Sequence, residues 1–323
     1  MSFVTADIAV AARALQSHGV VAIPTETVYG LAAIARDPVA VERVFAIKGR
    51  PTDHPLIVHL ARPDLLDEWA VDVPDWAYTL AEKFWPGPMT LVLPRASRVL
   101  DVVTGGLPTV GIRVPSHPVA QALLALVGDG LAAPSANRFG RVSPTTAQHV
   151  LAELGDVLVA GRDAILDGGA SSVGVESTIV DCTDDVPRIL RPGAVSAAQV
   201  EEATGLEVLE GGSTRAPGTL PAHYAPQAMV VLVEAPDVVH APAGSGLIAP
   251  AHIETPEGLV RLAAPVDSSA YAHDMYAALR DADDRGLTGV IVVPPDASGI
   301  GLAVRDRLRR AAFGSSGATQ ADG

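Results

Sequence analysis

Apolar residues recur at helical spacing near the start of the chain. Ile8, Ala11 and Leu15 fall on one face of a helix with 3.6 residues per turn. A helix is therefore predicted from Thr5, as its N-cap, to Gly19. The same reasoning predicts further helices near residues 38–48, 74–85, 117–128, 145–154 and 196–204.

Short runs of apolar and β-branched residues predict strands between these helices. The predicted strands lie near residues 20–24, 55–60, 89–94, 109–114, 130–134, 156–160, 177–182 and 187–191. In two places one strand follows another without a helix between them: 89–94 with 109–114, and 177–182 with 187–191. Such neighbours are expected to pair antiparallel. The predicted fold class is therefore α/β, with a mixed sheet flanked by helices.

The composition changes after residue 210. The segment GGSTRAPGTLPAHYAPQ has no apolar period and contains three prolines and three glycines, which is typical of a linker. From Met229 strands and helices alternate again, and this predicts a second, smaller Rossmann-like α/β domain. The second domain has no GxGxxG motif, so nothing in it indicates dinucleotide binding. The predicted division is 1–210 for the first domain, 211–227 for the linker, 228–314 for the second domain and 315–323 for a flexible tail.

Charge and composition exclude several classes of protein. The 323 residues carry a formal net charge of −14, which argues against a protein that wraps nucleic acid. The single cysteine, Cys182, excludes a disulfide framework and a cysteine-rich zinc site. No apolar run approaches the ~20 residues that span a bilayer, and the N-terminus lacks the pattern of a secretory signal. We therefore expect a soluble cytoplasmic protein that does not bind membranes.

Polar and basic residues cluster next to the predicted strands. Hydroxyls and fixed cations at strand ends favour an anionic, phosphorylated ligand, because open α/β sheets bind ligands there. Thr109 and Arg113 are four residues apart on one strand and should project from the same face. The clusters are Thr25 to Tyr29; Lys48, Arg50, His54 and His59; Thr109 and Arg113; Pro134 to Ser143; and Gly174 to Thr178 with Arg191.

Each cluster also has a purely structural interpretation. Thr25 and Thr27 could cap a following helix, Arg113 could be a structural ion-pair partner, and His59 could be a core histidine. The segment 134–143 could be an ordinary loop. The chain has no P-loop, HExxH, CxxC or GxSxG motif, so phosphoryl or nucleotidyl chemistry would depend on positioning and charge neutralisation.

Eight sequence motifs occur together and in order along the first domain: PTETVYGL, KGRPTDHPLIVH, FWPGPMTLVL, VGIRVPSHP, PSAN, SPTTA, GVESTIVD and ILRPGA. Taken together, they resemble the YrdC/Sua5 family of threonylcarbamoyl-adenylate synthases. The resemblance covers roughly residues 5–210, and the linker and second domain resemble the longer, two-domain Sua5 type. It implies a twisted, open YrdC-like sheet.

The resemblance implies an activity. Members of this family are nucleotidyltransferases that make threonylcarbamoyl-AMP from L-threonine, bicarbonate and ATP, and release pyrophosphate. Mg²⁺ would accompany ATP. A separate tRNA-modifying transferase complex would use the product to form t6A at position 37 of tRNA, so little direct tRNA binding is expected.

The resemblance also assigns roles to residues. Lys48, Arg50 and Arg113 would be catalytic, and no metal-ligating residue is implied. Tyr224 would close over the nucleotide, which makes the linker a lid. His54 stands where the family usually has asparagine, and Thr219 to Ala222 replace a stretch that is commonly basic. The residues implied around L-threonine are Thr27, His59, Arg113 and Ser177, and those around ATP are Arg50, His54, Thr109, Ser135, Ser143, Arg191 and Tyr224.

Two other functions compete with this one. YrdC-like domains have also been considered as double-stranded RNA-binding or ribosome maturation modules, which the acidic charge disfavours. Carbamoyl transfer from carbamoyl phosphate, as in related domains of hydrogenase maturation proteins, would be expected with fused acylphosphatase and zinc-finger segments that are absent here.

Overall fold

The computed structural model describes residues 3–212, 214–218 and 220–318. The chain forms two compact units, and each is made of three separate stretches of the sequence. The first unit consists of Met1–Arg138, Pro144–Ser172 and Glu176–Thr219. The second consists of Phe139–Ser143, Val173–Val175 and Leu220–Gly323.

Capping residues set the ends of the helices in the first unit. Helix α1 begins after Asp7, whose carboxylate accepts hydrogen bonds from the Ala9 and Val10 N–H groups, so Asp7 is the N-cap. The prediction of Thr5 as N-cap was wrong, because Thr5 lies in a strand. The helices are α1 Ile8–Gln16, α2 Pro38–Lys48, α3 Asp75–Phe84, α4 Asp101–Thr104, α5 Pro118–Val127, α6 Ala147–Leu154 and α7 Ala197–Thr204, with a 3₁₀ helix at Pro63–Glu68.

The strands of the first unit form one mixed sheet. Its order is β1-β8-β2-β3-β7-β4-β6-β5-β9-β10-β11. The predicted antiparallel pairs are confirmed, since β5 pairs antiparallel with β6 and β9 with β10. The strands are β1 Val4–Thr5, β2 Val21–Ile23, β3 Gly30–Ile34, β4 Ile57–His59, β5 Met89–Pro94, β6 Thr109–Arg113, β7 Leu131–Ala132, β8 Ala164–Leu166, β9 Thr178–Asp181, β10 Arg188–Arg191 and β11 Leu209–Glu210.

One prediction for this sheet was wrong, and one of its strands was not predicted. Residues 156–160 form a turn, and the strand that follows is β8. The turn is closed by the carboxylate of Asp163, which accepts from the Val159 N–H at 2.8 Å. The sequence also gave no indication of β3, which pairs antiparallel with β2. Thr25 and Thr27 therefore lie between two strands and cap no helix.

Helices cover both faces of the sheet. Side chains alternate along each strand, so β2 contributes to two apolar clusters. Val21 and Ile23 pack in the cluster that includes α1 and α5, whereas Ala22 packs with the cluster that includes α2, α3 and α6. Cys182, which follows β9, is buried in the second of these clusters, as expected for a structural thiol.

The second unit contains a smaller, fully parallel sheet with the order β12-β15-β13-β14. The tail was predicted to be flexible from residue 315, but the last helix continues to Ala318. Ser315 is buried, and its hydroxyl accepts from the Val230 N–H at 3.0 Å, which ties this turn to the sheet. Residues 319–323 lie outside the described residues. The elements are β12 Met229–Leu232, β13 Gly246–Ile248, β14 Val260–Ala263, β15 Gly289–Val292, α8 Ser268–Asp284, α9 Ile300–Ala318 and a 3₁₀ helix at Ala235–His240.

Within the described residues, no helix is both long and apolar enough to cross a membrane.

A buried ion pair anchors the start of β2. The carboxylate of Asp163 accepts two hydrogen bonds from Arg43, at 2.9 and 2.8 Å, and a third from the Val20 N–H at 3.0 Å. We expect Asp163→Ala to lower the free energy of unfolding by about 3 kcal/mol, because it leaves a guanidinium and two N–H groups without their acceptor. Urea denaturation measures this change.

The matched control is Asp156→Ala, which breaks an exposed ion pair with Arg138. Its expected loss is under about 1 kcal/mol. Equal losses in the two variants would contradict the role given to Asp163.

Candidate active site

The register of the sheet places four polar side chains in one row. His59 pairs with Arg113 across β4 and β6. Leu91 pairs with Ile112 across β5 and β6, so the next position in this register aligns Thr90 with Arg113. The row continues from Thr90 to Ile179 and then to Arg191, which pairs with Ile179 after a register shift in β10 between Ile189 and Arg191. Residues directly opposite one another share a face of a sheet, so this row lies on one face. We call it the polar row: His59, Arg113, Thr90 and Arg191.

Apolar residues lie beside the polar row on the same face. Ile57, Val92 and Ile179 form a small buried cluster with Ala216. Gly111 lies between Ile57 and Val92 in the register and has no side chain to fill the space above it. The face therefore has a flat apolar floor beside a line of hydrogen-bonding groups, which is typical of small-molecule sites.

Arg113, at the end of β6, is 4% exposed and is held by three groups. Its Nε donates to the Gly87 carbonyl at 3.2 Å, and Nη1 donates to the Thr27 hydroxyl at 2.8 Å. Its Nη2 lies 2.7 Å from Oε1 of Glu26. Arg113 thus has the carboxylate partner that a structural role requires, and it is held in one orientation on the polar row.

Glu26 connects Arg113 to the chain beyond β6. Its Oε2 accepts from the Ser116 N–H at 3.1 Å. Burial of the carboxyl opposes ionisation, but the attraction and hydrogen bonding of Arg113 outweigh it, so the pKa of Glu26 lies below its usual 4.5. Glu26 is therefore ionised at neutral pH, and the pair with Arg113 has no net charge.

Thr25 fixes the neighbouring hydroxyl of Thr27. Its Oγ1 donates to the Val28 carbonyl at 2.6 Å and lies 2.8 Å from Oγ1 of Thr27. Both threonines are buried. These bonds order the short connection between β2 and β3, so that the Thr27 hydroxyl reaches Arg113.

His59 is a neutral member of the polar row. Its Nδ1 lies 3.2 Å from the Ile57 carbonyl, which can only accept, so Nδ1 carries the proton. Burial lowers the pKa of His59 to about 3, and the positive charge of Arg113 acts in the same direction. The imidazole can therefore offer hydrogen bonds but no charge at neutral pH.

Ser177, just before β9, connects two members of the polar row. Its Oγ lies 2.7 Å from Oγ1 of Thr90 and accepts from Nη2 of Arg191 at 3.1 Å. Arg191 also donates to the Ser177 carbonyl, and its Nη1 donates to the Pro217 carbonyl at 2.8 Å. Residue 217 belongs to the segment that was predicted to be a linker, so part of that segment packs on this face.

Lys48, at the end of α2, is buried and donates to the carbonyls of Ser135 and Asn137. Burial lowers its pKa well below the usual 10.5, and the nearby charge of Arg50 adds to this shift. The ammonium therefore holds the backbone of the 134–137 segment in place.

Arg50 and His54 lie on the loop that precedes β4. The guanidinium of Arg50 donates to the Pro55 carbonyl at 2.9 Å and to the His54 carbonyl at 3.4 Å. Burial lowers the pKa of His54, as does the charge of Arg50. Thr109 begins β6, on the same face as Arg113 but at the other end of the strand, about 13 Å away at 3.3 Å per residue.

Ten of the twelve predicted site residues belong to the first unit, whereas Ser143 and Tyr224 belong to the second. Within the second unit, Tyr224 is 1% exposed. The guanidinium carbon of Arg307 lies 5.5 Å from the centre of its ring, and the ring of Tyr276 lies 5.7 Å away. Whether Tyr224 closes over a nucleotide stays a prediction.

Sequence reasoning missed Thr90 and did not identify Arg113 as the partner of Glu26. Thr90 is the one polar residue in the apolar strand β5, which is a visible signal. Its position beside Arg113 depends on strand pairings that sequence alone does not show. Among the described residues, no three histidine, cysteine or acidic side chains lie close enough together to hold a metal ion.

Comparisons with known proteins match both parts of the chain. Residues 13–193 match the Sua5/YciO/YrdC family model, whose description is "Telomere recombination". Residues 195–313 match the model described as "Threonylcarbamoyl-AMP synthase, C-terminal domain".

Named relatives share most of their length with the chain. The threonylcarbamoyl-AMP synthase of Pyrococcus abyssi is 39% identical, over 94% of this chain and 93% of the relative. That of Bacillus subtilis is 40% identical, over 95% and 93%. A crystal structure of P. abyssi Sua5 complexed with L-threonine is 37% identical and has a TM-score of 0.85, over 95% of this chain and 94% of that one. Full-length HypF, at 20% identity, shares the fold alone.

The Glu26–Arg113 pair should make stability depend on pH. The pKa of Glu26 is depressed in the folded state, so its stabilisation is present above the usual pKa of 4.5 and is lost as pH falls through the lower folded value. We expect Glu26→Gln to lower the free energy of unfolding by about 1–3 kcal/mol at pH 7. Urea denaturation from pH 7 to pH 3 should show this difference narrowing below pH 4.5.

Glu68→Gln is the control, because Glu68 forms exposed ion pairs with Arg36 and Arg98. At pH 7 this substitution should lower the free energy of unfolding by less than about 1 kcal/mol. A Glu26→Gln difference that is constant across this pH range would show that Glu26 is not ionised in the folded protein.

Proposed function

Because the chain belongs to the Sua5/YciO/YrdC family, we propose that it is a threonylcarbamoyl-AMP synthase. It joins L-threonine, bicarbonate and ATP into threonylcarbamoyl-AMP and releases pyrophosphate. The observation that carries the proposal is the polar row, which presents two buried arginines and a neutral imidazole beside an apolar floor. Two anionic reactants that must meet require fixed cations of this kind.

L-Threonine binds at the Arg113 end of the polar row. The guanidinium of Arg113 contacts the substrate carboxylate, for which its planar fork is well suited. The hydroxyls of Thr27 and Ser177 and the neutral ring of His59 surround the rest of the molecule. Glu26 balances the charge of Arg113, so this end of the polar row carries little net charge, and this favours a zwitterionic amino acid over a simple anion.

ATP binds to the residues that the resemblance implies: Arg50, His54, Thr109, Ser135, Ser143, Arg191 and Tyr224. Arg191 is the link between the two substrates, since it already donates to Ser177. Lys48 adds positive charge near the phosphates and holds the 134–137 segment in place. Lys48, Arg50 and Arg113 are therefore proposed as the catalytic residues.

The chemistry needs no covalent enzyme intermediate. Bicarbonate loses hydroxide to give CO2, and this hydroxide takes one proton from the threonine ammonium to form water. The neutral threonine nitrogen then bonds to the carbon of CO2 and releases its second proton, which gives a carbamate. A carbamate oxygen then attacks the α-phosphorus of ATP, and the bond to the bridging oxygen breaks as pyrophosphate leaves. The protein holds the two anions in line and neutralises their charge, so orientation and electrostatics supply the rate enhancement.

Mg²⁺ enters with ATP. Phosphate oxygens and water would hold it, which suits a site whose described residues offer no cluster of metal ligands. The product would pass to a tRNA-modifying transferase complex in the cytoplasm, where it supplies the t6A modification. The acidic chain, with a net charge of −14, would bind little tRNA directly.

The test is pyrophosphate release that requires threonine and bicarbonate together. Arg113→Ala should raise the KM for threonine about 10- to 100-fold, because it removes charge-assisted hydrogen bonds of about 1.5–3 kcal/mol. Arg113→Lys should have a KM for threonine between those of the wild type and Arg113→Ala, because an ammonium is charged but cannot form the planar fork of a guanidinium.

Arg98→Ala is the control, since Arg98 is exposed and pairs with Glu68. Its KM for threonine should equal that of the wild type. Pyrophosphate release by the wild type without threonine would reject the proposed function. An unchanged KM in a folded Arg113→Ala variant would reject the role of Arg113.

A further inference from the structure

Thr90 occupies the centre of the polar row but has no role in the function described so far. It is fully buried and lies beside Arg113 in the register of β5 and β6. Within the described part of the chain, its hydroxyl has one hydrogen-bonding partner, Oγ of Ser177 at 2.7 Å. A hydroxyl in a buried strand, whose single partner belongs to a residue that we propose to bind L-threonine, calls for an explanation.

The number of hydroxyl hydrogens on Thr90 and Ser177 provides an explanation. The hydroxyls of Thr90 and Ser177 bring two hydrogens, but one hydrogen bond joins them, so one hydrogen has no acceptor among the described residues. Ser177 Oγ already accepts from Nη2 of Arg191 and can accept once more. If Ser177 donated to Thr90, the Thr90 hydrogen would be buried without an acceptor, which costs about 1–3 kcal/mol. If Thr90 donates, the remaining hydrogen belongs to Ser177, which is buried as well at 1% exposed but is proposed to lie against L-threonine, so that a substrate oxygen can accept this hydrogen.

We propose that Thr90 is a positioning residue that makes Ser177 a hydrogen-bond donor to the substrate. Thr90 donates to Ser177, Arg191 donates to the same oxygen, and the Ser177 O–H is left to point at an anionic oxygen of threonine or of its carbamate. This inference rests on the proposed function, because it takes its ligand from there. In this proposal Thr90 does not contact a substrate, and it acts through Ser177, which does.

A packing role for Thr90 would give a different result. Valine has the shape of threonine without the hydroxyl, and it is equally suited to a strand, so Thr90→Val removes the hydrogen bond with little change in packing. Thr90→Ser keeps the hydroxyl and removes the methyl group. If Thr90 positions Ser177, Thr90→Ser should keep the KM for threonine near the wild-type value and Thr90→Val should raise it. If Thr90 only fills space, Thr90→Val should keep the KM near the wild-type value and Thr90→Ser should change it.

The experiment measures threonine-dependent pyrophosphate release with saturating ATP and bicarbonate. Thr90→Val should raise the KM for threonine roughly 3- to 10-fold, as expected for one hydrogen bond, with a smaller change in kcat. The KM for threonine of Thr90→Ser should stay within about twofold of the wild-type value. Thr204→Val is the matched control: Thr204 bonds to the Val200 carbonyl of its own helix and should leave the KM unchanged.

A double-mutant cycle tests whether Thr90 acts through Ser177. In a Ser177→Ala background, Thr90→Val should have no further effect on the KM, because the hydroxyl that it positions is gone. Full additivity of the two substitutions would overturn the inference. A wild-type KM in Thr90→Val, or a KM in Thr90→Ser as high as in Thr90→Val, would overturn it as well.

The outcomes separate this inference from the proposed function. A wild-type chain that releases no pyrophosphate in response to threonine overturns both. An active wild type with a neutral Thr90→Val variant overturns the role of Thr90 alone. Thermal denaturation of each variant checks that the fold is retained, and the Thr90→Ser result decides the matter if Thr90→Val does not fold.

Discussion

The carboxylate of Glu26 and the guanidinium of Arg113 lie 2.7 Å apart where little solvent reaches, and neither group would be stable there without the other. Their pairing joins the connection after β2 to the end of β6, so it brings Thr27 to the polar row. It also keeps Arg113 in one orientation, beside a carboxylate that balances its charge. For the L-threonine that we propose to bind here, the guanidinium is already held in place, so less conformational entropy would be lost on binding.

The rest of the site follows from the pairing of strands. The polar row takes its residues from four strands, β4, β6, β5 and β10, whose order in the sheet differs from their order in the chain. A shift of one position in any pairing would move one of these side chains to the opposite face. The apolar cores on both faces therefore do more than stabilise the domain, because they fix the register that aligns the site.

Much of the fold and part of the candidate site could be predicted from the sequence. Helix α2 and the antiparallel pairs β5/β6 and β9/β10 follow from apolar periodicity and from the lack of intervening helices. The motifs pointed to the right family, and same-face projection of Thr109 and Arg113 follows from their spacing. Strand β3 was missed because Gly30 to Ile34 follow directly on polar turn residues without an alternating pattern. Thr90 and the partner of Glu26 could not be predicted, because both depend on pairings between distant strands.

Gly111 keeps the surface beside the polar row low. In the register it lies between Ile57 and Val92, two residues along β6 from Arg113 and on the same face, and an added Cβ would meet Ile57 and Thr90 only at an ordinary contact distance of 3.5 Å. The protein itself would thus tolerate a methyl group at this position, which would pack against these two side chains. With no side chain at Gly111, the surface here is lower than at its two neighbours in the sheet, and its height can change without a change in the core on the other face.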